Sequence, residues 1–100
     1  MSALDVTAWR HYKNEDKSVV CRIQVTYKDA RRFKLLKNVF SQWMLCGEGF
    51  SPKTMETIKI FEKQFKDDTK WKTFLRGFPC KIIETTPNNK KRIYNARKAV

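Results

Sequence analysis

The chain has 100 residues, of which 41% are hydrophobic and 13% aromatic, a composition that supports one hydrophobic core and excludes a disordered polymer. Twenty-two Lys and Arg stand against ten Asp and Glu, which leaves a formal net charge of +12. No apolar stretch has the length of a membrane span, and the first residues lack the pattern of a secretion signal. We therefore expect one soluble domain over residues 1–100, with residues 95–100 as a frayed basic tail.

The cysteines and the single histidine argue against a metal site. Cys21, Cys46 and Cys80 are odd in number, widely spaced and set among apolar neighbours, so they are predicted to be core residues of a protein from a reducing compartment, cytoplasmic or nuclear. Without a Cys-x-x-Cys pair and with only His11, a structural zinc site cannot be assembled in the usual spacing. No metal and no cofactor are expected.

The first third of the chain predicts a β-hairpin. From Lys17 to Tyr27 apolar and polar residues alternate, as in a half-buried strand whose apolar face carries Val19, Cys21, Ile23, Val25 and Tyr27. The segment from Asp5 to Tyr12 would pair with this strand through the polar turn KNEDK. A short helix is the alternative for this segment, because its apolar residues also approach helical spacing.

The middle of the chain predicts three helices. The first begins at the capping residue Asp29 and ends near Gly47, with an inward face formed by Phe33, Leu36, Phe40 and Trp43. The second begins at Ser51-Pro52 and buries Met55, Ile58, Phe61 and Phe65. The helical spacing of apolar residues does not continue past Asp67-Asp68. A third helix is therefore predicted from there to Gly77, with Trp71, Phe74 and Leu75 facing the core.

The last part predicts a second hairpin, in which the strand FPCKIIETT, the turn TPNN and the strand KKRIY follow one another. The predicted fold class is therefore α+β with the order β-β-α-α-α-β-β. A helix pair followed by a hairpin with a basic tip is the order of parts in a winged helix-turn-helix, whose second helix enters the major groove of DNA. The alternative is a plain α+β domain in which three helices cover a four-stranded sheet.

Catalytic side chains are not found in any recognisable arrangement. His11 has no partner in sequence spacing, Asp67-Asp68 is explained by helix capping, and the glycines around Glu48 lack the remaining residues of a phosphate loop. An enzyme is not expected. A metal nuclease is kept as the enzymatic alternative, because two or three carboxylates from distant positions suffice to hold Mg²⁺.

The charge excess is uneven along the chain. The residues after Gly77 hold six Lys and Arg against one acid, so the C-terminal hairpin and tail are the predicted contact surface, joined by cations of two helices. The predicted binding residues are Arg31, Lys34, Lys70, Lys72, Arg76, Lys90, Lys91, Arg92, Arg97 and Lys98.

A charge of this size points to a polyanionic partner, and nucleic acid is the first choice. The function expected is that of a small DNA-binding regulator or a nucleoprotein component. An RNA-binding or ribosome-associated protein is an alternative, in which Tyr12, Tyr27 and Tyr94 would stack on bases. A second alternative is an interaction or inhibitor protein that docks its basic face on an acidic protein. No membrane partner is expected, and the sequence leaves the oligomeric state open.

Overall fold

The fold is taken from a computed structural model, which describes residues 4–85 and 91–94. Six strands and two helices follow the chain in the order β-β-α-β-β-α-β-β. The strands are β1 Leu4–Lys13, β2 Val19–Tyr27, β3 Met44–Ser51, β4 Glu56–Phe65, β5 Ile82–Thr85 and β6 Lys91–Tyr94; the helices are α1 Ala30–Lys37 and α2 Asp68–Gly77. The predicted α+β class is confirmed, whereas the predicted order and the winged-helix arrangement are not.

All six strands form one sheet in the order β3-β4-β2-β1-β5-β6. Neighbouring strands are antiparallel except β1 and β5, which are parallel. Each helix therefore joins two parallel strands, α1 from β2 to β3 across β4, and α2 from β4 to β5 across β2 and β1. The α1 connection leaves β2 toward one end of the sheet, and the α2 connection leaves β4, which is antiparallel to β2, toward the other end. Crossovers between parallel strands are right-handed. Because both the strand direction and the direction across the sheet are reversed, this rule puts both helices on the same face of the sheet.

The core lies between the helices and this covered face. Residues of β2 alternate strictly, with Val19, Cys21, Ile23, Val25 and Tyr27 buried as their spacing predicts. Leu36 of α1 and Trp71 and Leu75 of α2 meet them from above. A chain of ring contacts continues the core from Tyr27 through Phe33, Phe61 and Phe40 to Trp43 and Phe74. The opposite face of the sheet has no helix on it in the part of the chain that the structure describes.

The predicted second helix is wrong, because residues 51–65 form the end of the first strand, the turn and the second strand of a β-hairpin. In β4, Ile58 and Ile60 lie on the uncovered face, while Phe61 and Phe65 point to the core. Apolar residues on both faces of one strand give a three- and four-residue spacing that imitates a helix. The alternation and the β-branched residues Thr57, Ile58 and Ile60 favour the strand.

The first predicted helix is correct in its inward residues and wrong in its length. Asp29 caps α1, and its side chain accepts a hydrogen bond from the Arg31 backbone N–H at 2.9 Å. The helix ends at Lys37, and Phe40 and Trp43 reach the core from the following turns. Phe40, Trp43 and Val39 are weaker helix formers than the preceding Leu and Lys, and pairing of β3 with β4 takes up the rest of the segment.

The two remaining predicted strand pairs and the third predicted helix are found, although the strand predicted over FPCKIIETT forms only from Ile82 to Thr85. The β1–β2 hairpin turns through residues 14–18, α2 begins after the cap Asp67, and β5 pairs with β6. In the first turn, the Ser18 hydroxyl donates to Asp16 at 2.6 Å and accepts from Asn14 at 2.9 Å. The predicted turn at residues 86–89 and the basic tail at 95–100 lie outside the described residues.

Lys17 closes the β1–β2 turn in a left-handed conformation with φ of 69°. Because a side chain clashes with its own backbone there and glycine does not, we expect Lys17→Gly to raise the free energy of unfolding by about 0.5 kcal/mol. Urea denaturation measures this change. Glu15→Gly, in the same turn without a positive φ, should lower stability instead. A lower stability of Lys17→Gly would contradict the strain at this position.

Candidate nucleic-acid interface

The exposed cations of α1 and the residue before it form one basic surface. Lys28, Arg31, Arg32, Lys34 and Lys37 are all exposed, and one acid, Asp29, lies among them. Arg31 is the least available of the five, because its guanidinium pairs with Asp29 at 3.1 Å. This pairing holds the pKa of the Asp29 carboxyl below its usual range. Lys34 and Lys37 complete the last turn of the helix.

A second group of exposed cations lies on α2 and just before it, formed by Lys66, Lys70, Lys72 and Arg76. Two acids at the start of the helix would repel phosphate if they faced outward. However, Asp67 accepts from the Lys70 backbone N–H at 2.9 Å, and Asp68 points to His11 of β1. The acids are thus engaged in structural contacts, while the cations extend into solvent.

Both groups project from the same side of the molecule, because both helices pack on one face of the sheet. We call this surface the helix side, and it comprises the exposed cations of residues 28–37 and 66–76. Lys59 and Lys63 of β4 add two half-buried cations beneath it, placed over the rings of Phe33 and Phe65 at 4.8 and 5.6 Å.

The uncovered face of the sheet has a different character. Arg22 and Glu62 neutralise each other there at 2.6 Å. A depression of about 800 Å³ between β1, β2 and β5 is lined by uncharged Thr7, Gln24 and Thr26, with Asp5, Glu56 and Lys81 at its margin. Among the side chains described on this face, the charges are therefore close to balance. The positive charge of the described residues is concentrated on the helix side.

The predicted binding residues are only partly brought together. Arg31, Lys34, Lys70, Lys72 and Arg76 are exposed on the helix side. The backbones of Lys91 and Arg92 lie in β6, at one end of the sheet, while Lys90, Arg97 and Lys98 lie outside the described residues. Lys28, Arg32, Lys37 and Lys66 share the helix side and are missing from the predicted set, although sequence spacing on α1 could have included Arg32 and Lys37.

The tyrosines predicted to stack on bases differ in their exposure. Tyr27 is buried against Phe33, with ring centroids 4.9 Å apart, so it is not available to a ligand. Tyr12 is half exposed near the end of β1. The prediction of a stacking platform on the sheet therefore loses Tyr27. Tyr12 stays a prediction, as does Tyr94, whose backbone lies in β6.

Titratable side chains gather under α2. His11 stacks on the Trp71 ring, and its Nε2 lies 2.8 Å from the Asp68 carboxylate, although this contact lacks the angle of a hydrogen bond. The Trp71 Nε1–H donates to the buried Glu84 at 2.9 Å. Cys21 lies opposite His11 in the sheet and is completely buried. These contacts tie β1 and β5 to α2.

The cysteines also differ from their prediction. Cys21 is buried and Cys80 half-buried, whereas Cys46 is exposed in β3, so the prediction of a core position is wrong for Cys46. Burial raises the pKa of the Cys21 thiol, helped by the negative charges of Glu84 and Asp68. Burial likewise raises the pKa of the Cys80 thiol. A raised pKa disfavours the thiolate, which is the reactive form of cysteine, at both positions.

Stability at alkaline pH should report the burial of Cys21. The unfolded chain loses this proton near the ordinary thiol pKa of about 8.5, while the folded chain keeps it. The unfolded state then binds fewer protons, so the free energy of unfolding falls as pH rises, by up to about 1.4 kcal/mol per pH unit. Urea denaturation at pH 8, 9 and 10 should show a shallower fall for Cys21→Val. Parallel profiles of the two proteins would contradict this assignment.

Two absences hold within residues 4–85 and 91–94. No group of three or more His, Cys, Asp and Glu side chains is placed to hold a metal ion. Neither of the two helices there is long and apolar enough to span a membrane. Comparison of the chain with protein-family models, with curated proteins and with solved structures gives no match, so the site stands on its own geometry.

Proposed function

We propose that this protein is a non-catalytic nucleic-acid-binding protein that uses its helix side to contact the phosphate backbone. One observation carries the proposal: exposed cations from two helices project from the same side, while the charges nearly balance among the side chains described on the uncovered sheet face. A surface needed only for solubility would distribute its charges more evenly.

The kind of contact follows from the residue types. Lys and Arg side chains on helix surfaces neutralise phosphates and release counterions, which gives affinity without reading the base sequence. With Tyr27 in the core, base stacking on the sheet has little support. We therefore expect the cations to contact the phosphate backbone of the nucleic acid. The protein would then serve as a nucleoprotein component or an accessory to a more specific factor.

The test is a binding titration against salt. Fluorescence anisotropy with duplex DNA, single-stranded DNA and structured RNA should show binding at low salt, with affinity falling linearly on a plot of log K against log salt. The slope gives the number of phosphates neutralised, and the preferred ligand distinguishes DNA from RNA. Absence of binding to all three ligands at 20 mM salt would refute the proposal.

An interaction protein is the second candidate, and the exposed apolar side chains of the edge strand β3 favour it. A pull-down from nuclease-treated lysate separates the two functions. Loss of every partner after nuclease treatment supports nucleic acid, and a stoichiometric protein that survives the treatment supports the second candidate.

A further inference from the structure

The uncovered face of the sheet carries a central band of side chains without formal charge. Side chains alternate between the two faces of a strand, so the residues of this band point away from the buried set of β2. The strand register places them in two neighbouring rows across β4, β2, β1 and β5. The band consists of Ile58, Ile60, Gln24, Thr26, Thr7 and Ile83. Met44 and Tyr12, exposed by 58 and 50%, lie on the same face.

Strand β3 continues this band with small residues. Gly47 and Gly49 stand opposite Ile60 and Ile58 in the register of β3 and β4. A Cβ added to Gly47 would lie 3.2 Å from the Cδ1 of Ile60, so the Ile60 side chain extends over this glycine. A Cβ added to Gly49 would meet nothing within 4 Å. The sheet is therefore low beside the two isoleucines, and a broad partner surface can reach them.

The charged side chains of this face lie at the margin of the band. Arg22 and Glu62 pair at 2.6 Å along one side of it. Asp5, Glu56 and Lys81 lie along the other side. Among the side chains described on this face, two cations thus stand against three acids. A centre without charge and a polar rim are typical of a protein–protein interface, and the three acids oppose a polyanion.

The charge of the chain makes a second copy the partner that fits this face. Two copies that met by their helix sides would bring their clustered cations together. If the uncovered faces stack instead, both helix sides point outward. Stacked sheets lie about 10 Å apart and a helix adds about 10 Å on each side, so the two layers of cations are about 30 Å apart. This distance is about three Debye lengths at 0.1 M salt.

The face is large enough for a stable dimer. It spans five strands, β3, β4, β2, β1 and β5, and the longest of them have ten residues. At about 4.8 Å between strands and about 3.3 Å per residue, the face measures roughly 24 by 30 Å, or about 700 Å² in each copy. Two copies would bury about 1,400 Å² in total, within the range of about 1,200–2,000 Å² of specific interfaces.

We propose that two copies of this chain associate through their uncovered sheet faces. The two sheets pack face to face with their strand directions about 30° apart, as in a β-sandwich, and Ile58, Ile60 and Ile83 of each copy lie at the centre. The helix sides of the dimer point in opposite directions. A consequence that rests on the proposed function is that the dimer holds two nucleic-acid segments at once, whereas a monomer holds one.

The test is sedimentation equilibrium of the full chain at micromolar to millimolar concentrations. The dimer should become tighter as salt rises, because salt screens the repulsion between the two copies. Nucleic-acid binding depends on salt in the opposite direction. Gln24→Lys puts a cation at the centre of the band and keeps a long polar side chain at this half-buried position. The dissociation constant of the dimer should rise at least about tenfold.

Two control variants isolate the effect of this cation. Leu35→Lys adds the same charge at an exposed position of α1 and should leave the dimer unchanged. Gln24→Leu removes the amide without adding charge and should keep or tighten the dimer. Circular dichroism checks the folding of each variant, and Thr7→Lys, at another half-buried position of the band, replaces Gln24→Lys if the latter is unfolded.

Three results would each overturn the proposal. One is a monomer at millimolar concentration in high salt, and another is equal weakening of the dimer by Gln24→Lys and Leu35→Lys. The third is a dimer that tolerates Gln24→Lys but dissociates with Phe50→Lys, which would assign the contact to the other face of β3.

The bridging of nucleic acids is measured separately from the dimer. A labelled duplex is captured by a second duplex on beads, and Gln24→Lys should lose this capture while its binding to one duplex in anisotropy persists. Absence of binding in anisotropy would refute the proposed function and leave the dimer standing. Binding by a protein that stays monomeric would refute the dimer alone.

Discussion

Replacing Trp71 with alanine is expected to lower the free energy of unfolding by about 4 kcal/mol, measured by urea denaturation followed by circular dichroism. Trp71 is 2% exposed and contacts the rings of His11, Phe65 and Phe74. The substitution removes this packing where the sheet and α2 meet. It also leaves the buried carboxylate of Glu84 without its hydrogen-bond donor.

Two further variants separate packing from hydrogen bonding. Trp71→Phe keeps most of the ring contacts and loses the donor, so it should cost about 1–3 kcal/mol. Adding Glu84→Gln to Trp71→Phe should recover part of that loss, because an unpaired amide costs less to bury than an unpaired carboxylate. Leu35→Ala at an exposed position should change stability by less than about 0.5 kcal/mol. A loss below 1 kcal/mol for Trp71→Ala would mean that this core assignment is wrong.

The parts of the fold that could be predicted are those in which one face is buried and the other is polar. In β2 every second residue from Val19 to Tyr27 is apolar and the turn before it is polar, so only one register buries the apolar set. The start of α2 is equally predictable, because Asp67 and Asp68 precede a new set of regularly spaced apolar residues, and the structure shows that Asp67 is the cap.

The β3–β4 hairpin could not be predicted by the same reasoning. Its strands carry apolar residues on both faces, because β4 is an interior strand with Ile60 on one face and Phe61 on the other. Strand β3 carries apolar residues that are exposed, whereas apolar residues in a sequence are ordinarily predicted to be buried in the core. The Ser51-Pro52 pair fits a helix start and a hairpin turn equally well, and only long-range pairing decides between them.

The candidate site was also predictable only in part from the sequence. Net charge predicts an acidic partner without any structure, but the clustering of cations depends on which elements share a face. The crossover geometry that puts α1 and α2 on one side is a property of strand order, which the sequence does not display. Counting charge along the chain points to the C-terminal hairpin and does not show that the cations of the two helices share one side of the molecule.

Reversing four cations of the helix side is expected to weaken nucleic-acid binding about a hundredfold near 100 mM salt. The variant combines Lys34→Glu, Lys37→Glu, Lys72→Glu and Arg76→Glu, and omits Arg31 because Asp29 already pairs with it. If each of these cations neutralises a phosphate, the slope of log K against log salt should become shallower by about 3 to 4. Anisotropy titrations at several salt concentrations measure both quantities.

A control with the same net charge decides whether location matters. Lys13→Glu, Lys17→Glu, Lys53→Glu and Lys81→Glu change four exposed cations outside the helices, so the two variants differ only in where the charge is lost. Equal losses would show that only the total charge of the chain matters and would refute the helix side as the interface. A third variant, Lys90→Glu with Lys91→Glu and Arg92→Glu, tests the C-terminal hairpin, and a larger loss there would move the interface to that hairpin. Because glutamate near a helix C-terminus opposes the helix dipole, glutamine versions of the four helix substitutions distinguish lost binding from lost folding.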